Sequence, residues 1–449
     1  VSAREIKARI NAMDLIANEL PEPRRVEVPV VYDGADLSIV AERNGLTEDE
    51  VIRLHSEPTY LIYMLGFSPG FAYLGGLDPK LATPRLATPR VSVPAGSVGI
   101  AGGQTGVYPV ASPGGWNLIG RTPLKLFDPT AAKPFLFEPG DEVKFFPEEK
   151  GRARSPSEPP RTVHRTVPTS DNLSVQIIAP GMYSTVQDLG RFGFLRYGLP
   201  PGGPMDRALF AVANAALGND PNAAVLECTG TMPVLEFNRP TRVAVAYPDH
   251  LEHVDAAAGE RVAFDPIVVG YRAYVAVEGG IDVPVVMGSR STYAPAKLGG
   301  HEGRPLRAGD VLPLRDHGSR LQGVAEVRDL GKLRDVIRVV PGPEADWFDT
   351  GGLNAFLTGS FAVSAKSDRS GIRLEGPRLS FRGDEQMVSS GVAPGTIQVP
   401  PSGQPIVMMA DHPTTGGYPR IGNVVADDLP RLAQLRPGER LRFIERAPD

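Results

Sequence analysis

The 449-residue chain carries 47 Lys and Arg against 52 Asp and Glu, a net charge of -5, with 41% hydrophobic residues, which excludes a disordered chain and a bulk basic footprint for nucleic acid or an anionic membrane. No apolar run reaches the roughly 18 residues of a membrane-spanning helix, the single cysteine, Cys228, cannot form an internal disulfide, and the first residues do not spell a secretory signal, so a cytoplasmic protein is expected. Glycines number 50 and prolines 45, about one residue in five, a density that favours many short strands and turns over long helices.

Residues 1–57 hold the strongest helical patterns. Residues 36–43 lead into Asn44-Gly45-Leu46, and Thr47-Glu48-Asp49-Glu50 spells a capping box for a second helix carrying Val51, Ile52 and Leu54. The order Ala41, Gly45, Leu46, Thr47, Val51 also fits a helix-turn-helix core. Glu48, Asp49 and Glu50 would repel phosphates, however, so the helices are expected to pack and not to read DNA. Residues 58–147 read as all-β, from Leu61-Ile62-Tyr63-Met64-Leu65 to Val143-Lys144-Phe145-Phe146. Residues 148–172 are rich in Pro, Ser and charge and read as a linker. A second module over 173–330 opens with Val175-Gln176-Ile177-Ile178 and contains one helix after Asp206, carried by Leu209, Val212, Ala213 and Ala216 and ended by Gly218. Further strands fill 331–449.

An internal repeat ties the two ends together. Gly96-Ser97-Val98-Gly99-Ile100 aligns with Gly395-Thr396-Ile397-Gln398-Val399, Gln104 with Gln404, Gly114-Gly115-Trp116 with Gly416-Gly417-Tyr418, Ile119-Gly120 with Ile421-Gly422, and Pro139-Gly140-Asp141 with Pro437-Gly438-Glu439. The offsets stay within 298 to 302 residues, so two related β-modules are expected, facing each other across a cleft.

The chain lacks a phosphate-binding Gly-x-x-x-x-Gly-Lys loop, a dinucleotide fingerprint, Cys-x-x-Cys and His-Glu-x-x-His. Gly66-Phe67-Ser68-Pro69-Gly70 has the spelling of a nucleophile elbow, but Pro69 offers no N–H for an oxyanion and no helical pattern follows, so a structural turn is expected. His250 and His253, with Asp249 and Glu252, read as a solvated loop and not a metal site. Phe67, Phe71 and Tyr73 could bind a cyclic substrate but are expected to pack in a core.

The segments 66–74, Thr88-Pro89-Arg90, 93–98 and Ser112-Pro113-Gly114-Gly115-Trp116 resemble the first of the paired families once called allophanate hydrolase subunits 1 and 2. The segments 184–191, Gly202-Gly203-Pro204-Met205-Asp206, 279–284, Gly288-Ser289-Arg290 and 414–418 resemble the second. The resemblance implies a mainly β chain with some α: two cyclophilin-like β-barrel modules plus small α/β additions, with residues 1–57 the remnant of a longer α/β domain. The chain also does not begin with Met, which suggests a processed, trimmed or incomplete amino terminus. Relatives include the B and C components of 5-oxoprolinase, the carboxyltransferase region of urea carboxylase, and a sporulation-kinase inhibitor with its antagonist. The order of the halves favours a fused B and C component of an ATP-dependent 5-oxoprolinase, with ATP used in the complete complex alongside an A-subunit-like partner protein. Inhibition of a sensor histidine kinase and biotin-dependent carboxyl transfer are the alternatives, although no biotin-attachment sequence is present. A small-molecule substrate is implied, without nucleic acid or membrane, and a homo-oligomer is left open.

Within these motifs the catalytic candidates are Asp188, Arg191 and Asp411. The substrate-binding candidates are Gln104, Ser112, Trp116, Arg121, Gln187, Arg290, Asp368, Arg369, Arg373, Gln398, Gln404, Thr415 and Tyr418, with no metal. Gln187, Asp188 and Arg191 combine amide, acid and guanidinium as an anion site would, or Asp188 and Arg191 form a structural ion pair. Asp206 is expected to cap its helix. Arg369 and Arg373, four residues apart, would grip a carboxylate or phosphate, although relatives usually carry Met where Ser370 stands.

Overall fold

The computed structural model describes residues 22–148, 173–316, 335–383 and 387–446. The expected linker, except Glu148, lies outside the described residues, as do residues 1–21 and the 330/331 boundary.

The first unit comprises β1 (Arg25–Val30), α1 (Leu37–Asn44), α2 (Glu48–Ser56), β2 (Thr59–Leu65), β3 (Ala72–Gly75), β4 (Arg90–Val93), β5 (Ser97–Ala101), β6 (Gln104–Val107), β7 (Ser112–Gly114), β8 (Asn117–Arg121) and β9 (Glu142–Pro147). Seven strands run in the order β1-β9-β2-β3-β6-β5-β8. Val31 and Arg121 exchange both backbone hydrogen bonds at 2.9 Å, which brings the sheet's two edges together as a barrel. β4 and β7 form a side ribbon. The capping box at Thr47 and Glu50 is present. The apolar residues Val40, Ala41, Val51 and Leu54 enter the core with Val28, Ile62 and Val143, while Glu48, Asp49 and Glu50 face solvent.

The second unit comprises β10 (Ser174–Ala179), β11 (Tyr183–Gln187), α3 (Arg207–Ala216), β12 (Val225–Thr229), β13 (Val234–Phe237), β14 (Thr241–Ala246), β15 (Leu251–Ala256), β16 (Arg261–Ala263), β17 (Arg272–Val277) and β18 (Val311–Pro313). Its sheets, β16-β13-β10-β18 and β11-β12-β17-β14-β15, enclose Val175, Ile177, Leu226, Val243 and Val275. α3, capped by the Asp206 carboxylate on the N–H groups of Ala208 and Leu209, lays Leu209, Phe210 and Ala213 on the outer face of the five-stranded sheet. β12 and β17 are therefore buried at every position, with one face toward the other sheet and one toward the helix.

The third unit is a closed barrel of β19 (Val336–Pro341), α4 (Thr350–Thr358), β20 (Phe361–Val363), β21 (Gly371–Glu375), β22 (Ser390–Gly391), β23 (Thr396–Gln398), β24 (Ile406–Met408), β25 (Thr415–Gly416), β26 (Arg420–Val424), α5 (Leu429–Ala433) and β27 (Arg440–Glu445). Its order, β19-β27-β20-β21-β24-β23-β26, repeats that of the first barrel strand for strand, and the β22–β25 ribbon takes the place of β4–β7. The repeated motifs are its turns. Gly96 and Gly395 hold φ of 84° and 87° and donate their N–H groups to Tyr108 and Met408 carbonyls at 2.7 and 2.8 Å. Gly140 and Gly438 hold 91° and 89°, and the acids that follow, Asp141 and Glu439, each accept the N–H three residues back at 2.8 Å. Such φ values favour glycine at each position, so much of the glycine excess is one set of turns used twice.

Candidate functional site

The charged motifs of the second unit are consumed by internal contacts. Asp188, 2% exposed, accepts from Gly190 N at 3.0 Å, Ser289 Oγ at 2.5 Å, Ser291 Oγ at 2.7 Å and Arg290 N at 2.6 Å, a full carboxylate set. Arg191 makes no ion pair with it. Its Nε and Nη2 donate to the Val286 and Ser291 carbonyls at 2.9 and 2.8 Å, its Nη1 has no partner, and burial pushes its pKa down. Gln187 donates to Thr185 Oγ1 at 2.9 Å, and Arg290 pairs with Asp282 at 2.7 Å.

Arg369 and Asp411 join the second unit to the closed barrel. Arg369 holds Asp411 with Nε at 2.8 Å and Nη2 at 3.0 Å, donates to the Gly203 carbonyl at 2.6 Å, and reaches Glu227 of β12 through Nη1. Glu227 also accepts from Met205 N and Tyr274 Oη, both at 2.7 Å. Burial works to raise both carboxyl pKa values. Arg369, Arg272 and the two donors outweigh it at Glu227, whereas Asp411, with Arg369 alone and Glu227 close by, stays raised. Beside this network, Gln434 Nε2 donates to Asp206 at 2.9 Å and its Oε1 accepts from Arg272 N at 2.8 Å. Arg373 alternates with buried Ile372 and Leu374 and is exposed, so it does not share a clamp with Arg369. Asp368 accepts from Ser370 N at 2.7 Å in its own turn.

The two barrels meet at a seam. Tyr73 of β3 and Thr415 of β25 are hydrogen-bonded at 3.1 Å, with the Ser389 hydroxyl close to the same phenol. A Cβ on Gly66 would stand 2.2 Å from Thr415 Cγ2, and one on Gly417 would stand 3.4 Å from Arg85 Nη1. Burial pushes the Tyr73 phenol up, partly offset by these hydroxyls and by the Arg85 charge. Three buried hydroxyls on the two ribbons lack partners: Ser112 on β7, Ser390 on β22 and Thr414 beside β25. Ser112 and Thr414 are 302 residues apart, the local offset of the repeat. Buried hydroxyls are rarely left unpaired, so these donors suit water or a polar ligand. Thr415, Tyr418 and Gln398 belong to the same wall, with Gln398 Nε2 donating to the Tyr418 carbonyl at 3.2 Å. Trp116 stacks edge-on with Phe71 and Tyr73 at 5.3 and 6.2 Å as part of a second apolar cluster that includes Phe67. Other candidates are engaged elsewhere: Arg121 with Asp33 at 3.1 Å and Gln404 with the Gly376 N–H at 2.8 Å. Gln104 is half-buried on β6.

The turn at Gly66 bends at Phe67, φ 65°, with Ser68 N donating to the Gly66 carbonyl at 2.7 Å. It leads into β3 and not a helix. Gly66→Ala is expected to cost about 1–3 kcal/mol by pushing Thr415 off Tyr73. Thermal melts should show the loss, and Thr415→Gly in the same chain should recover part of it.

Arg85 and Ser389 were not among the candidates drawn from the motifs, and Tyr73 was weighed only as part of an aromatic cluster. The available signal was the tandem Leu81-Ala82-Thr83-Pro84-Arg85 and Leu86-Ala87-Thr88-Pro89-Arg90, of which the second arginine is consumed by Asp36 at 2.7 Å. Among the described residues no three His, Cys, Asp or Glu side chains are placed to hold a metal. His250 stacks on Tyr247 and bonds Asp249 at 2.9 Å. No described helix is long and apolar enough to cross a membrane.

Twin cyclophilin-like barrels with a sandwich between them are the frame of a carboxyltransferase-type domain. Residues 197–445 match the carboxyltransferase domain, subdomain A and B, and residues 1–137 match its subdomain C and D; the chain belongs to this family. It is similar to the C subunit of 5-oxoprolinase from Escherichia coli (strain K12), 39% identical over 284 residues, 60% of this chain and 91% of that protein. It is also similar to the B subunit of 5-oxoprolinase from Escherichia coli O157:H7, 58% identical over 134 residues, 29% of this chain. The chain spans only 62% of that second relative. The crystal structure of TTHA0988 superposes with a TM-score of 0.83 at 35% identity, covering 99% of this chain and 89% of that one. B-like and C-like sequences thus follow one another in a single chain.

Proposed function

We propose that the chain is the substrate-binding component of a cytoplasmic, ATP-dependent 5-oxoprolinase that opens 5-oxoproline to glutamate with a separate A-subunit-like protein. The observation that carries the reading is the inter-barrel seam, where Ser390 and Thr414 hold unspent hydroxyls on the ribbon that brings Thr415 to Tyr73. Opening the ring breaks the lactam C–N bond and places developing negative charge on the lactam oxygen, which donors held in a partly dry site stabilise. The likeness of the two halves to 5-oxoprolinase subunits named B and C supports the same reading.

In a coupled assay of the chain with the A-subunit-like partner, 5-oxoproline should stimulate phosphate release and yield glutamate, with neither protein active alone. No stimulation by 5-oxoproline with both present refutes the proposal. The family's carboxyltransferase name favours one second reading, carboxyl transfer from a biotin carried by another protein, which streptavidin blotting of copurifying proteins would reveal.

A further inference from the structure

We infer that Arg85 anchors the carboxylate of the ligand in the inter-barrel seam, so that the site selects small carboxylic acids over uncharged analogues of the same shape. The inference rests on the reading of the seam as the substrate site. Three other arginines of the two barrels are spent: Arg90 on Asp36, Arg369 on Glu227 and Asp411, Arg420 on Glu344. Arg85 makes no hydrogen bond or ion pair with any described residue and is exposed.

Its position is nevertheless fixed. The Pro84 carbonyl accepts from Asn117 Nδ2 at 2.9 Å, and Leu86 N donates to the Gly115 carbonyl at 2.8 Å, so the residues on both sides are tied to the first barrel. The guanidinium then lies across the seam from Gly417 of the second barrel. A Cβ there would approach Nη1 and Nη2 to 3.4 and 3.5 Å and Ser389 Oγ to 3.3 Å; glycine keeps the space in front of the fork open. The Arg85 charge also reaches the phenols of Tyr73 and Tyr108, which places it over the polar end of the aromatic cluster. A planar guanidinium whose backbone is held, with donors free and no carboxylate from the described chain, is suited to bidentate capture of a carboxylate. The unpartnered hydroxyls of Ser390 and Thr414 on the facing ribbon serve the rest of the ligand.

The test is equilibrium binding to the full chain, alone and with the A-subunit-like partner, using 5-oxoproline and 2-pyrrolidinone, the same lactam without its carboxylate. 5-Oxoproline should bind at least tenfold more tightly than 2-pyrrolidinone. Arg85→Gln should weaken 5-oxoproline at least tenfold while leaving 2-pyrrolidinone and the melting temperature unchanged, and Arg85→Lys should fall between. Wild-type affinity for 5-oxoproline in Arg85→Gln overturns the inference, as does failure of the wild type to bind any small carboxylate. Arg85-dependent binding of acetate or another small acid without binding of 5-oxoproline sustains the anchor and refutes the 5-oxoprolinase reading.

Discussion

Arg369→Met is expected to lower the free energy of unfolding by about 3–5 kcal/mol, the usual cost of stripping one partner from a buried ion pair. Arg369 is 6% exposed, and the carboxylates it serves, Glu227 and Asp411, are 1% and 4% exposed. Met fills much of the volume but leaves two buried carboxylates facing each other. Glu227 keeps Met205 N and Tyr274 Oη, whereas Asp411 loses both of its side-chain donors and takes up a proton first. The pH dependence identifies the cause. Without Arg369 the Glu227 pKa rises and the Asp411 pKa, already raised, rises further, so the folded variant binds more protons than wild type and its deficit shrinks as the pH falls through the raised folded values. Urea denaturation of both proteins at pH 7.5, 6 and 5 reads the difference. A variant within 1 kcal/mol of wild type at pH 7.5, or a deficit that does not narrow on acidification, would exclude this account.

That network also shows why the fold was more legible than the site. The repeated turns are local: a left-handed φ at Gly96, Gly395, Gly140 and Gly438 demands glycine wherever the turn recurs, so two related β-modules could be read from spacing alone, and the family resemblance made them barrels. The sandwich was not legible in this way, because β10 pairs with β13 and with β18, more than a hundred residues downstream, and no local pattern names such a partner. Charged side chains were ambiguous for a related reason. A four-residue spacing made Arg369 and Arg373 look like a clamp, but the loop-to-strand boundary at Gly371 sends one inward to Glu227 and leaves the other exposed. Asp188 sits in a Gly-bounded motif as a ligand-binding acid would, yet its carboxylate is filled by the 289–291 segment, about a hundred residues away. Of two arginines in a tandem Leu-Ala-Thr-Pro-Arg, only the position of Asp36, 54 residues from Arg90, decides which one is free.

The second large effect is acid destabilisation through His55, which is fully buried and stacked on Phe145 at 4.6 Å. Thr105 Oγ1 donates to the Gly99 carbonyl at 3.1 Å and so must accept from His55 Nε2 at 2.8 Å. Nδ1 is then left to accept from the Tyr32 hydroxyl at 2.7 Å. The neutral Nε2–H tautomer is satisfied at both nitrogens, and a second proton would turn the Tyr32 hydroxyl from donor to acceptor and leave a charge in the core with no carboxylate of the described residues beside it. Burial accordingly pulls the pKa from 6.5 to about 3. Between those values the unfolded chain holds a proton that the folded one refuses, so stability is complete above about pH 6.5 and falls with pH, approaching about 1.4 kcal/mol per unit and summing to roughly 5 kcal/mol by pH 3. His412, buried with Nδ1 on the Pro413 carbonyl at 2.7 Å and its pKa also lowered by burial, adds in the same direction. His55→Gln keeps one donor and one acceptor without a titrating group. Whatever stability it loses at pH 7.5, its slope between pH 6.5 and 4.5 should be shallower than wild type by about 1 kcal/mol per unit. Parallel slopes would mean that the acid sensitivity arises elsewhere.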